Sequence, residues 1–159
     1  YSSIESFSEG AAPVMSKASK WGFIDKEGKE IIAPQYDGID GNFGGAYGFS
    51  EGLAGMEKGG KWGYITKTGK VAITFVYDEI RPFKEGVAGV LKGNKWGFIN
   101  GTNKTIIPFK YADSNVERYS SNFMAANYFI FWDGVAEVAT INQQTVCINK
   151  SDKKVACPQ

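Results

Sequence analysis

Apolar and polar positions alternate along short runs, and the clearest run ends in a polar tetrad closed by Gly. Lys61-Trp62-Gly63-Tyr64-Ile65-Thr66 leads into Lys67-Thr68-Gly69-Lys70. The phrase recurs from Lys20 to Lys29 and again from Lys95 to Asn100, with a worn copy at Gln144-Thr145-Val146-Cys147-Ile148-Asn149. Alternation predicts a β-strand with Trp62, Tyr64 and Thr66 on one face and Gly63 and Ile65 on the other. Asp25-Lys26-Glu27-Gly28 suits a type I turn followed by Gly at positive φ, so each copy predicts a β-hairpin.

The repetition extends beyond the hairpin. Tyr77-Asp78-Glu79-Ile80-Arg81-Pro82-Phe83-Lys84-Glu85-Gly86 precedes an alternating strand, a tight turn, the Trp-Gly strand and then Ile106-Ile107-Pro108. On that frame the chain divides into units 1–35, 36–76, 77–110 and 111–159. Each unit is expected to give three short strands, and Pro34 and Pro108, which donate no hydrogen bond, end the third. The expected repeat core is Trp21, Gly22, Trp62, Gly63, Trp96, Gly97, Phe49 and Phe83, with the Trp ring lying over a Gly of a neighbouring strand. One unit is too small to bury its own apolar face, so stacking on the next must stabilise it. The fold class read from this pattern is an all-β tandem array in an open, twisted stack. A closed, four-bladed propeller-like arrangement is the alternative.

Composition narrows the function classes. Aromatics at 14% and 20 glycines among 159 residues fit many short strands joined by tight turns. A net charge of +1 with interspersed signs gives no footprint for nucleic acid. No apolar run reaches the ~18 residues that suggest a membrane-spanning helix. The absence of His removes the commonest metal ligand and general base together. The first residue, Tyr1, reads as the start of a processed product or an excised fragment. Cys147 and Cys157 fall in one hairpin, with Cys147 opposite Val155 and Cys157 diagonal to it. They read either as a disulfide, which would indicate an oxidising compartment, or as two buried thiols.

The Lys-Trp-Gly-aromatic-Ile phrase, with Phe-x-Glu-Gly before it and Pro-Gln-Tyr-Asp after it (Pro34 to Asp37), resembles the WG-repeat, or KWG-repeat, family of bacterial tandem-repeat proteins. The resemblance covers nearly the whole chain; unit 4 departs most, with Thr145-Val146 in place of Trp-Gly, and reads as a capping repeat. It implies an all-β repeat architecture, an exported or surface-associated setting, and binding rather than catalysis. It brings no catalytic residue and no cofactor.

Several recurring or clustered polar and aromatic residues carry candidate chemistry. Glu9, Glu51, Glu85 and Asp133 recur once per unit before Gly, as turn residues capping backbone N–H groups or as a row of ligand sites. Asp37, Asp40 and Asn42 offer oxygens without the spacing of a calcium loop and read as turn formers. Asn100, Asn103 and Asn149 head glycosylation-type tripeptides at expected turns. Units 2 and 4 are longer than unit 3, between Ile39 and Phe49 and between Tyr111 and Phe131, on what would be one side of a stack. Tyr119, Phe123, Tyr128, Phe129 and Trp132 in or beside the second insertion either form a contact surface for a partner or fold back to seal the core. The expected function is a non-enzymatic structural or protein-interaction module that binds a protein partner or itself. Glycan or peptide binding is the alternative, and a carboxylate-dependent hydrolase a distant third. Cys157-Pro158-Gln159 matches Ala33-Pro34-Gln35, which Tyr36-Asp37 follows, so Tyr1 of another copy would continue the repeat in register.

Overall fold

The structure is a computed structural model that describes residues 1–40, 48–113 and 128–158. All regular elements among these residues are strands, arranged in four antiparallel sheets that follow one another along the chain. Sheet I contains β1 (Ser3–Ile4), β2 (Ala12–Met15), β3 (Trp21–Ile24) and β4 (Glu30–Tyr36). Sheet II contains β5 (Gly38–Ile39), β6 (Phe49–Ser50), β7 (Leu53–Lys58), β8 (Lys61–Thr66) and β9 (Val71–Tyr77). Sheet III contains β10 (Glu79–Ile80), β11 (Val87–Lys92), β12 (Lys95–Asn100) and β13 (Thr105–Ala112). Sheet IV contains β14 (Phe131–Trp132), β15 (Val135–Ala139), β16 (Thr145–Asn149) and β17 (Lys154–Val155).

The three-stranded expectation is therefore corrected. A two-residue strand pairs along the outer edge of the first long strand in every sheet, as Glu79 with Leu91 and Ile80 with Val90 do in sheet III. Two residues are too few to show an alternating pattern. The Phe-x-Glu-Gly phrase returns the chain from the edge to the first long strand. Glu9, Glu51, Glu85 and Asp133 all hold φ near +50°, and the Gly after each lies near +80°. Two successive positive φ values make a type I′ turn, whose twist matches that of the flanking strands.

Each Trp-Gly strand is central in its sheet, and those of sheets II and III are buried on both faces because each face meets a different sheet. Phe23, Ile32 and Tyr36 of sheet I share one cluster with Phe49, Ala54, Met56 and Ile65 of sheet II. Tyr64, Ile73 and Tyr77 of sheet II share the next with Ile80, Phe83, Ala88, Val90 and Ile99 of sheet III. Trp96, Phe98 and Ile107 of sheet III share the third with Phe131, Ala136, Val138 and Ile148 of sheet IV. The leading faces of sheets II, III and IV thus combine small and aliphatic side chains with one Phe, and the trailing faces of sheets I, II and III carry the aromatic residues of the Trp-Gly strand and its partner. Burial of both against neighbours supplies the apolar stabilisation that one sheet alone could not.

The Trp-Gly glycine has a different role from the one expected. A Cβ on Gly22 would lie 2.4 Å from the carbonyl oxygen of Ile32, and one on Gly63 2.5 Å from that of Ile73. The third strand shifts register at this point in sheets I, II and III, and its backbone crosses directly over the glycine. Sheet IV carries Val146 instead. There Cys147 pairs with Val155 and Ile148 with Lys154 in unbroken register, without the shift that the other three sheets show between the corresponding residues. The expected Trp-over-Gly contact is made by Trp62, whose ring lies 3.3 Å from where a Cβ on Gly38 would stand.

Candidate functional site

Polar residues repeated in the sequence converge on the seams between sheets, not on a cleft. The carboxylate of Glu9 accepts a hydrogen bond from the Gly52 N–H at 3.0 Å. Glu51 accepts from the Gly86 N–H at 2.8 Å, and Glu85 from the Gly134 N–H at 3.1 Å. Each acid therefore caps an amide, but the amide belongs to the following sheet, at the equivalent turn. Ser8 and Ser50 donate to the carbonyls of Phe49 and Phe83, each at 2.7 Å. At the same place in sheet III, Lys84 lies over the Trp132 ring, 4.3 Å from its centroid. Lysines reach back along the same path. Lys67 donates to the Glu9 carbonyl at 2.9 Å and pairs with its carboxylate at 3.3 Å. Lys150 does the same to Glu85, donating to its carbonyl at 2.8 Å.

A second set of links runs along the opposite ends of the strands. Asp37 takes the Gly59 N–H at 2.8 Å and pairs with Lys20 of the preceding sheet. Asp78 takes the Gly93 N–H at 3.1 Å and pairs with Lys61. The bond from lysine, then the bond from the glycine amide, holds each carboxyl below its usual range. In sheet III the equivalent Lys95 lies across the strands from Ala112, where the two earlier units have aspartate, and Asp113, one residue on, accepts from the Trp96 indole N–H at 3.4 Å. Tyr77 donates to the Asn103 side chain at 2.5 Å, and Tyr111 donates to Asp152, which also pairs with Lys110. Burial, then the bond to the Asp152 carboxylate, pushes the Tyr111 phenol well up.

Aromatic rings mark the middle of each seam. Phe23 meets Phe49 at 4.7 Å between centroids, Tyr64 meets Phe83 at 4.8 Å, and Phe98 meets Phe131 at 5.0 Å. Phe49, Phe83 and Trp96 are buried, whereas Trp21 and Trp62 are only partly so. Trp96 differs because Arg81 and Phe129 enclose it. The Arg81 guanidinium lies 4.3 Å from its ring centroid, and Phe129 stacks at 4.5 Å with the planes 8° apart. Arg81 is itself buried and donates to the carbonyls of Tyr128 and Ile80. Nothing in the alternating pattern singled out Arg81; the one signal was a charge inside an otherwise apolar edge segment.

The contact-surface reading of the second insertion is corrected for two of its residues. Tyr128 and Phe129 are buried in the cluster between sheets III and IV, and the Phe129 backbone sits where a Cβ on Gly89 would stand. Only Trp132 of the described aromatics there is exposed, at 43%. Tyr119 and Phe123 lie outside the described residues, as does Asn42.

The remaining candidates have structural partners. Cys147 and Cys157 are bridged, with Cα atoms 5.2 Å apart. The side-chain oxygens of Asn100 and Asn149 each take two backbone N–H groups of their own turn. Among the described residues no three His, Cys, Asp or Glu side chains could hold a metal ion, and no helix is long and apolar enough to cross a membrane. One open pocket of about 380 Å³ lies at the turns of sheets III and IV, lined by Lys95, Lys110, Asp113 and Gln143 among others. Its described lining holds a single carboxylate, while glycoside hydrolysis generally uses two.

Comparison with known proteins agrees with this arrangement. No curated protein matches the chain. The sequence model of the WG containing repeat matches three times in tandem, over residues 21–62, 62–96 and 96–126. Each match begins at a Trp whose strand and following glycine form the centre of one sheet, and together they cover most of the chain. The chain belongs to the WG-repeat family.

Proposed function

We propose that the chain is a non-catalytic repeat scaffold that presents its surface to a protein partner, in an exported or cell-surface setting. The observation that carries this reading is the fate of the repeated acids: Glu9, Glu51 and Glu85 each hold the next sheet's turn in place. Side chains that recur in a repeat and serve its seams build a rigid array rather than a reaction site. The Cys147–Cys157 bridge supports an oxidising compartment.

Stability separates a seam from a ligand site. Glu51→Ala is expected to lower the free energy of unfolding by about 1 kcal/mol, the worth of one exposed charge-assisted bond. Glu27→Ala, in a turn facing solvent, is expected to change nothing measurable. Denaturant titration checks both. A Glu51→Ala protein as stable as the parent, or more so, would show a carboxylate held for a ligand and overturn the reading. For the setting, protein recovered from the surface or medium of the source cells should resist thiol labelling until reduced.

Trp132 supports a narrower second reading as a glycan contact. Its ring is partly exposed, beside Lys84 and Asp133. In that case Trp132→Ala would abolish binding to a glycan array without altering the fold.

A further inference from the structure

The seam between sheets III and IV departs at one place from the two before it. At those, Lys20 pairs with Asp37 and Lys61 with Asp78. Each aspartate also accepts the N–H of a glycine in the first turn of the next sheet, Gly59 at 2.8 Å and Gly93 at 3.1 Å. A carboxylate therefore fills the space between a lysine of one sheet and a turn of the following one. Lys95 and Ala112 occupy these places at the third seam and lie across the strands from each other. Alanine brings no carboxylate to the lysine. The first turn of sheet IV is also longer, residues 140–144 against Gly59-Gly60 in sheet II and Gly93-Asn94 in sheet III. The open pocket of about 380 Å³ stands at this place, lined by Lys95, Ala112 and Ile141 together with Asn94, Lys110 and Gln143. Asp113 also lines it and accepts from the Trp96 indole N–H at 3.4 Å. Lys110 is engaged by Asp152, and among the described residues no carboxylate forms an ion pair with Lys95.

We infer that this pocket receives the carboxylate of an Asp or Glu side chain from a protein partner, in the place that Asp37 and Asp78 hold at the earlier seams. Charge complementarity selects an anion: the Lys95 ammonium donates to it, as Lys20 and Lys61 donate to their aspartates. Asn94 and Gln143 carry side-chain amides with N–H groups to offer a second carboxylate oxygen. Ala112 and Ile141 supply an apolar wall beside these polar groups, the usual composition of a binding pocket. The chain's own use of the place selects the form of the acid, because at both earlier seams the carboxylate arrives on a short side chain of a polypeptide. Ile141 lines the pocket while 73% exposed, so residues flanking the partner's acid have an apolar surface to rest on. The inference rests on the scaffold reading and deepens it, by naming where an acidic partner is held.

Amide chemical-shift mapping by NMR tests this on the full chain, with N-acetylglutamate amide as the probe and N-acetylglutamine amide as its uncharged isostere. The acid is expected to give saturable shifts at Lys95, Ala112, Ile141 and Gln143. It should give none at Gly59 or Gly93, where an aspartate already holds the place. The glutamine compound should shift neither set. Lys95→Met keeps an apolar stem without the charge and should abolish the shifts. Ala112→Asp supplies the carboxylate from within the chain, as the earlier seams do, and should abolish them as well. Thermal unfolding verifies that each variant is folded. A parent without saturable shifts, or shifts that persist in either folded variant, overturns the inference. Equal shifts from chloride at matched concentration would reduce the site to bare charge attraction, and tighter binding of acetate than of the capped glutamate would make the ligand a small free acid. Either result overturns it too. A chain that binds no acid but is destabilised by Glu51→Ala would still leave the scaffold reading standing, so the two failures are distinguishable.

Discussion

The identity of single residues in this chain is set by what crosses them. Gly63 is required because the Ile73 carbonyl lies where its side chain would begin, 2.5 Å from the Cβ position. Backbone cannot move aside as a side-chain tip can. Gly63→Ala is therefore expected to cost about 1–3 kcal/mol, as overpacking does, read from the denaturant midpoint. The tryptophans divide by environment despite their identical local sequence. Trp96 is fully buried beneath Arg81 and Phe129, so Trp96→Ala should cost about 3–5 kcal/mol. Trp62, partly exposed at the same place in sheet II, should lose clearly less when truncated. Equal losses at the two positions would contradict the enclosure of Trp96. The sequence pattern put both in one class, because the residues that distinguish them come from an edge strand and from beyond an insertion.

Among elements, the hairpins were legible and their connections were not. The Trp-Gly strand and its turn form a local pattern, and the structure puts Gly28 and Gly69 at φ of 81° and 80° in those turns. Asn103 and Asp152 adopt the same conformation in sheets III and IV without glycine, which side chains of this type tolerate. The edge strands escaped notice because two residues carry no period. The seam bonds escaped because each acid's partner belongs to another sheet, far along the chain: Glu9 with Gly52, Glu85 with Gly134. The repeated aspartates show how such a link acts on an element. Asp37 and Asp78 hold the first-hairpin turns of sheets II and III through Gly59 and Gly93. Their folded-state carboxyls titrate below the ordinary value, so ionisation favours the folded state. That contribution is present above about pH 4, the unfolded-state pKa of an aspartate, and is lost as pH falls through the lower folded-state value. Melting temperature should therefore drop on acidification through this window. The drop should be shallower in the Asp37→Asn/Asp78→Asn double variant, and an unchanged acid profile in that variant would remove the two aspartates from the account.

For the whole molecule, stability is distributed over seams rather than gathered in one core. Three apolar clusters join sheets I to II, II to III and III to IV, and each is built from two neighbouring sheets. In such a linear array, each interface couples only the sheets on either side of it. Phe83 lies at the centre of the middle seam, edge-on to Tyr64 at 4.8 Å and buried. Phe83→Ala should remove about 3–5 kcal/mol as a large core truncation. It should also weaken the coupling of the first two sheets to the last two. Hydrogen exchange followed by mass spectrometry is expected to show loss of protection concentrated in β8, β9, β11 and β12, with β3 and β16 retaining theirs under mild denaturant. Phe7, the counterpart ring in sheet I, is 49% exposed, and Phe7→Ala should cost the chain within about 0.5 kcal/mol, as surface changes do. The contrast between the two phenylalanines is the decisive measurement, because they occupy the same place in the repeated phrase, while Phe83 is buried against Tyr64 of the preceding sheet and Phe7 is half exposed. Uniform loss of protection across all four sheets in Phe83→Ala would mean that the molecule unfolds as one unit, and would replace nearest-neighbour stacking with a single cooperative core.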